Sequence, residues 1–160
     1  MSALANRPFV KMNGLGNEIV VVDMRKAPAA ISAADARAAA QPNGAPYDQL
    51  MALYPPRTAG TESLIRIYNN DGSEAGACGN GMRCVASLIA KASGKDKLTF
   101  EVDGRVLSTW RGADGLFTVE DVVTGRWASL EREQTIKSTA LSLPPLPGSC
   151  SIQVRTSPTP

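Results

Sequence analysis

The sequence predicts an α+β domain. Short apolar segments rich in β-branched residues recur through the first 119 residues, and Gly, Pro, Asn or Asp residues separate them. The segment Met82–Ala92 instead carries its apolar residues at helical spacing. A chain of 160 residues is the size of one ordinary domain or of one half of a larger enzyme. Many short strands combined with few helices indicate the α+β class.

Apolar runs bounded by turn residues predict the strands. Glu18–Met24 has polar residues only at its ends, so we expect a buried strand there. Lys97–Val102 and Arg105–Trp110 flank an Asp-Gly pair, which predicts a β-hairpin. The other predicted strands are Phe9–Met12, Tyr47–Tyr54, Glu62–Tyr68 (with Leu64, Ile65 and Ile67 facing inward) and Leu116–Val119.

Two segments are predicted to be helical. An alanine-rich helix opens after Ser32 and runs to about Ala40, because Ser32 can cap it and Asp35 suits the positive helix end. The second helix covers Met82–Ala92, and Gly94 provides a C-terminal stop.

Composition indicates a globular protein without a strongly charged partner. The chain is 43% hydrophobic and 20% charged, with a formal net charge of +2. That charge gives no strong attraction to nucleic acid or to an acidic membrane surface. No apolar run reaches the length of a membrane span, and the first residues lack the hydrophobic region of a secretory signal. We therefore expect a cytoplasmic protein.

The absence of histidine excludes whole classes of site. It removes Ser-His-Asp and Cys-His catalytic arrangements and imidazole-ligated metals. The three cysteines, Cys78, Cys84 and Cys150, form neither a CxxC pair nor a zinc-binding spacing. A disulfide framework is therefore not expected, in keeping with a reducing compartment.

The loop from Asn69 to Arg83 is the strongest candidate for chemistry. It places Cys78 directly before a helix, whose first amides lack internal partners and carry partial positive charge. Such amides can hold a carboxylate, and the same field would lower the pKa of the thiol. Gly79 and Gly81 allow close backbone approach to a ligand. Arg83 adds positive charge one turn further on.

Spacing alone leaves a structural interpretation of these residues open. Cys78 could be a small buried filler before a turn. Cys84 lies near the apolar side of the second helix, which favours a packed core residue. Cys150 has neither a helix start nor glycines beside it, and we treat it as incidental.

Four successive segments resemble the signatures of the diaminopimelate epimerase family, over about residues 7–119. They are Phe9–Glu18 (FVKMNGLGNE), Asp48–Gln49, Tyr68–Glu74 (YNNDGSE) and Ala77–Cys84 (ACGNGMRC). Four signatures in the family's order are far more specific than any one of them.

The resemblance implies a cofactor-free and metal-free enzyme that interconverts LL- and meso-diaminopimelate, a step in lysine and cell-wall precursor biosynthesis. Two cysteines flank the substrate α-carbon in that family, one as a thiolate base and the other as a thiol acid. Cys78 matches the first catalytic cysteine. Substrate-contacting positions are matched by Asn17, Gln49, Asn69, Gly79 and Asn80. The resemblance also implies a homodimer and a mixed, mainly antiparallel sheet wrapped around the helix that begins near Asn80.

Each of the polar substrate-contacting positions also has a purely structural interpretation. Asn17 and Asn69 could cap turns. Gln49 could be an ordinary surface residue, and Asn80 could adopt a left-handed backbone conformation.

The chain divides into an epimerase-like domain, residues 1–119, and a Pro/Ser/Thr-rich tail, residues 120–160, unlike the family. The second half of the family fold, which carries the other cysteine, is not recognisable in this tail. A frameshift or a mis-called gene end would explain the abrupt change, and the downstream DNA would test it. Because inversion needs a proton donor on the opposite face, we expect the 160-residue chain alone to lack epimerase activity.

Two other functions are compatible with the same loop. A related cofactor-independent racemase would share the cysteine but act on another amino acid. A non-catalytic module would bind a small carboxylate at the helix start. Deuterium uptake at the substrate α-carbon separates these functions from a diaminopimelate epimerase.

Overall fold

One mixed sheet carries the fold. The computed structural model of the chain describes residues 2–14, 16–121 and 136–137. Within these ranges lie two helices, α1 (Ala33–Ala39) and α2 (Gly79–Ser93), and the strands β1 (Phe9–Gly14), β2 (Asn17–Asp23), β3 (Gln49–Tyr54), β4 (Ser63–Asn69), β5 (Glu74–Ala75), β6 (Lys97–Val102), β7 (Arg105–Arg111), β8 (Phe117–Asp121) and β9 (Ile136–Lys137).

The sheet is mainly antiparallel. Its strand order is β8-β7-β6-β4-β3-β2-β1-β9, and β5 pairs with β4 beside this path. Among these strands, the β2–β3 and β4–β6 pairs are parallel. Helix α2 contacts β1, β2, β3, β6, β7 and β8, so the sheet wraps around it. The predicted α+β class and the sheet wrapped around a central helix are confirmed.

Both faces of the central strands are buried. Ile19 and Val21 of β2 pack in the cluster that surrounds α2, whereas Val20 and Val22 pack in a second cluster with α1. A strand covered on both faces needs apolar residues at every position rather than at alternate ones. This explains the unbroken apolar run of β2.

The hairpin and the helix ends follow the predicted local chemistry. Asp103 (φ 48°) and Gly104 (φ 72°) form the tight turn between β6 and β7, where both central residues need positive φ. Helix α2 ends at Gly94 in a left-handed conformation.

The structure also departs from the predictions. Ile65 and Ile67 face the core around α2, but Leu64 packs against the cluster on the opposite face, so its predicted inward orientation was wrong. Successive side chains of a strand point to opposite faces, and Leu64 and Ile65 cannot share one. The short strands β5 and β9 were not predicted. Apart from Glu120, Asp121 and β9, the predicted tail lies outside the described residues, as does Cys150.

Helix α1 is held by a reciprocal cap. The Asp35 backbone N–H donates to the Ser32 hydroxyl oxygen at 3.1 Å, and the Ser32 N–H donates to the Asp35 carboxylate at 3.0 Å.

We expect Ser32→Ala to lower the free energy of unfolding by about 1 kcal/mol, and Ser32→Asn to lower it much less, since asparagine caps helices well. Urea unfolding measures both. Equal losses in the two variants would show that the cap contributes little.

Neither α1 nor α2, the helices of the described ranges, has the length and apolar character needed to cross a membrane. Across the same residues, no three Cys, Asp or Glu side chains come together as a metal site.

Candidate active site at the start of helix α2

A sulfur atom caps the N-terminus of α2. Cys78 is the N-cap residue, and its Sγ accepts a hydrogen bond from the Gly81 backbone N–H at 3.2 Å. An N-cap side chain normally offers an oxygen to these otherwise unpaired amides. Here the thiol takes that place, so the sulfur lies at the electropositive end of a 15-residue helix.

Two glycines let the first turn of α2 approach the sheet closely. A Cβ on Gly81 would lie 2.4 Å from Met51 Sδ and 3.1 Å from Cys78 Sγ. A Cβ on Gly14 would lie 3.3 Å from Asn80 Cβ. Because glycine has no side chain at either position, β1 and β3 pack directly against the segment that carries Cys78.

Sheet topology gathers polar residues at the same edge. Strand β2 begins at Asn17 and runs parallel to β3, which begins at Gln49. Strand β4 is antiparallel to β3 and ends at Asn69, directly opposite Gln49 in the register. Asn17, Gln49 and Asn69, which are far apart in sequence, therefore lie at one edge of the sheet.

Hydrogen bonds connect this edge to the sulfur. The Cys78 thiol donates to Gln49 Oε1 at 2.6 Å, and Gln49 Nε2 donates to Asn69 Oδ1 at 3.4 Å. Gln49 is half-buried, and its side-chain amide takes part in both of these hydrogen bonds. Asn69 also begins a turn, because its carbonyl oxygen accepts from Gly72 N–H at 3.0 Å.

The remaining predicted positions lie on or beside α2. Gly79 and Asn80 are the first two residues of the helix. Asn80 is therefore right-handed, and the alternative of a left-handed conformation is wrong. Arg83 is only 7% exposed, and its guanidinium donates to Asn80 Oδ1. Asn17 lies in the β1–β2 hairpin opposite Gly14, which in turn approaches Asn80.

Burial reverses the expected shift in the pKa of Cys78. Loss of solvent raises the pKa of Cys78 above its ordinary value. The Gly81 and Asn80 amides and the Arg83 charge lower the pKa, but by less. The prediction that the helix field gives a pKa below that of a free thiol was wrong, because the field acts on a sulfur removed from water. A raised pKa favours the thiol form of Cys78 at neutral pH.

Cys84 is a core residue, as predicted. It is 0% exposed, packs in the cluster around α2, and burial raises its pKa to about 12. A thiol of this kind is neither accessible nor readily ionised, so the described part of the chain offers one accessible sulfur, that of Cys78.

Sequence reasoning missed two residues behind Asn69. Asn69 Nδ2 donates to the Ser73 hydroxyl oxygen at 3.0 Å, and that hydroxyl donates to the Asp71 carboxylate at 2.6 Å. The Asn-Asn-Asp-Gly-Ser run could have predicted these contacts, since Asn, Asp and Ser side chains in turns form hydrogen bonds with nearby groups.

Comparison with solved structures places the fold. The chain is similar to a hydroxyproline epimerase from Agrobacterium vitis with bound trans-4-hydroxy-L-proline, with a TM-score of 0.56 and 14% identity over 75% of this chain and 42% of that one. It is also similar to a phenazine biosynthesis protein of the PhzF family from Enterococcus faecalis, with a TM-score of 0.52 and 13% identity over 68% of this chain and 41% of that one.

Sequence comparison places the family. Relatives named diaminopimelate epimerase from Nitrobacter hamburgensis and Rhodopseudomonas palustris (strain CGA009) are each 63% identical over 121 residues. The aligned part is 75% of this chain but only 42% and 41% of the respective relatives. The diaminopimelate epimerase family model matches residues 9–126. This chain therefore belongs to the diaminopimelate epimerase family.

Proposed function

We propose that this chain supplies Cys78 as one of two proton-transferring thiols in a cofactor-independent epimerase that interconverts LL- and meso-diaminopimelate. The observation that carries the proposal is the position of the Cys78 thiol, which caps α2 and donates to Gln49 at the polar edge of the sheet. Relatives more than 60% identical in this region are named for that activity. The proposed setting is cytoplasmic lysine and cell-wall precursor biosynthesis.

The difficult step is removal of the α-proton, because the resulting carbanion is unstable in water. A half-buried sulfur with backbone amides beside it provides a water-poor setting in which positioned hydrogen bonds can stabilise developing charge. In the proposed mechanism Cys78 removes the proton from one face of the α-carbon, or returns it there. Asn17, Gln49, Asn69, Gly79 and Asn80 are the proposed substrate contacts.

Inversion requires a second thiol on the other face. Cys84 cannot supply it, because its side chain is 0% exposed in the core around α2. We propose that residues 1–119 form the epimerase-like domain that provides one face of the site. The opposite face, in the remainder of the family fold, provides the other thiol. A polypeptide of these 160 residues alone is then expected to have no epimerase activity.

A chimera tests this proposal directly. Residues 1–121 of this chain would replace the corresponding part of the Nitrobacter hamburgensis relative, which is 63% identical to this chain over 121 aligned residues. We expect the chimera to interconvert the two stereoisomers of diaminopimelate, measured by chiral chromatography, and the 160-residue chain to leave them unchanged.

Three outcomes would contradict the proposal. A folded chimera that inverts only other amino acids would indicate a related racemase. Binding of diaminopimelate without exchange of its α-hydrogen would indicate a carboxylate-binding module. Interconversion by the 160-residue chain at the relative's own rate would show that the remainder of the family fold is not needed.

A further inference from the structure

A chain of hydrogen bonds runs from the Cys78 thiol to a carboxylate on the turn after β4. Its links are Cys78 Sγ to Gln49 Oε1 (2.6 Å), Gln49 Nε2 to Asn69 Oδ1 (3.4 Å), Asn69 Nδ2 to Ser73 Oγ (3.0 Å) and Ser73 Oγ to Asp71 Oδ1 (2.6 Å). Every link donates in the same direction, from the sulfur toward Asp71.

The carboxylate fixes that direction. Hydrogen bonds from Ser73 hold the pKa of Asp71 below its ordinary value, so at neutral pH the group is ionised and only accepts. The Ser73 hydroxyl must then donate to Asp71 and accept from Asn69. This turns the amide nitrogen of Asn69 toward Ser73 and its oxygen toward Gln49. Gln49 in turn points its nitrogen at Asn69 and its oxygen at Cys78.

Backbone hydrogen bonds close the turn that holds Asp71 and Ser73. Asn69 N–H donates to the Ser73 carbonyl at 2.8 Å, and Gly72 N–H donates to the Asn69 carbonyl at 3.0 Å. The guanidinium of Arg37 on α1 donates to the Asp71 carbonyl at 3.3 Å. These bonds hold the backbone of the turn, and the exposed side chains of Asp71 and Ser73 lie in line with Asn69.

We propose that Ser73 and Asp71 are positioning residues that orient the amide of Gln49 with its oxygen toward Cys78, and so keep Cys78 as the proton-carrying thiol. A carbonyl oxygen can accept a hydrogen bond from a thiol but repels a thiolate, whereas an amide N–H would favour the thiolate. This proposal rests on the proposed function and extends it, since it assigns Cys78 the role of proton donor before substrate binds.

Other groups also act on the sulfur. Within the described residues, the charged or titratable groups that interact with Cys78 are Arg83 and Cys84, both on α2. Gln49 on β3 is neutral, and the carboxylate of Asp71 acts through the chain of side chains rather than by contact. Loss of the Ser73 hydroxyl leaves Arg83 and Cys84 unchanged. A shift in Cys78 reactivity would therefore report on the hydrogen bonds that lead from Cys78 to Asp71.

Alkylation of Cys78 in the 160-residue protein tests the proposal without requiring enzyme activity. Iodoacetamide reacts with the thiolate, so its rate follows ionisation. Trypsin cleaves after Arg66, Arg83 and Lys91, which places Cys78 and Cys84 on separate peptides for mass spectrometry. In Ser73→Ala, where the amides are free to turn, we expect Cys78 to react about three- to tenfold faster at pH 7, with its pH profile moved to lower pH. Ser73→Thr, which keeps the hydroxyl, should restore the parent profile.

The result that would overturn the proposal is a Ser73→Ala profile equal to that of the parent, or a Ser73→Thr profile equal to that of Ser73→Ala. Cys84 reports on folding, because it is buried and should stay unreacted in an intact protein. If Cys84 reacts in Ser73→Ala, the Asp71→Asn variant tests the proposal instead, because it removes the carboxylate that can only accept a hydrogen bond from Ser73. This variant should shift the pH profile of Cys78 alkylation in the same direction, and an unchanged profile would refute the proposal. Failure of the chimera to epimerise would leave this titration unaffected, so the two proposals fail separately.

Discussion

Replacement of Cys78 by alanine in the chimera is expected to lower the rate of inversion at the α-carbon by about a thousandfold, the range typical of a lost general acid or base. The substitution removes the proton carrier on one face of the substrate. It leaves the glycines that seat α2 against β1 and β3 in place. Conversion of LL- to meso-diaminopimelate, followed by chiral chromatography, measures the effect.

Cys84→Ala is the matched control, since it removes the other cysteine of the same helix. Cys84 is 0% exposed, so its loss should reduce stability through a small cavity and change the rate of the folded chimera little. An equal loss of rate in both variants would mean that removal of either sulfur acts through the fold of α2 and not through proton transfer.

Gly72→Ala is expected to lower the free energy of unfolding by about 2–4 kcal/mol. Gly72 has a φ of +88°, and a Cβ there would lie 2.4 Å from the carbonyl oxygen of Ala33 on α1. Backbone strain and a contact with rigid backbone therefore add together. The same turn carries Asp71 and Ser73, so the substitution should also disturb the hydrogen bonds that lead to Cys78. Urea unfolding of the chain measures the loss.

Gly60→Ala separates the two causes. Gly60 has nearly the same φ, +86°, but a Cβ there would meet nothing within 4 Å. Only the conformational cost remains, which is about 1 kcal/mol. If Gly60→Ala and Gly72→Ala were equally destabilising, the close approach of the turn to α1 would add nothing to the cost of a side chain at residue 72.

Local signals in the sequence predicted most of the elements, because local chemistry decides them. The Asp-Gly pair between β6 and β7, the Ser32 cap and the Gly94 stop lie where the structure has them. The parallel pairing of β4 with β6 was not predictable in the same way. It depends on the path of α2 between those strands and leaves no period in either segment. Leu64 was misplaced because both faces of β4 are covered, so its apolar character did not identify a face.

The candidate site was only partly predictable for the same reason. The position of Cys78 before a helix could be read from neighbouring residues, and the family resemblance supplied Gln49 and Asn69. The direction of the Cys78 pKa shift could not be predicted, because it depends on burial of Cys78 against the core around α2, which strands distant in sequence help to build. The roles of Asp71 and Ser73 could not be predicted either, because they depend on the strand register that places Asn69 opposite Gln49.

The most direct test of Cys78 as a proton carrier follows deuterium at the α-carbon in heavy water, with each stereoisomer supplied separately to the Cys78→Ala chimera. A thiol on one face can act only on the stereoisomer whose α-hydrogen points toward it. The expected result is loss of exchange for one stereoisomer, with exchange of the other retained by the opposite thiol. Exchange of both stereoisomers at the rate of the unmodified chimera would contradict a role for Cys78 in proton transfer.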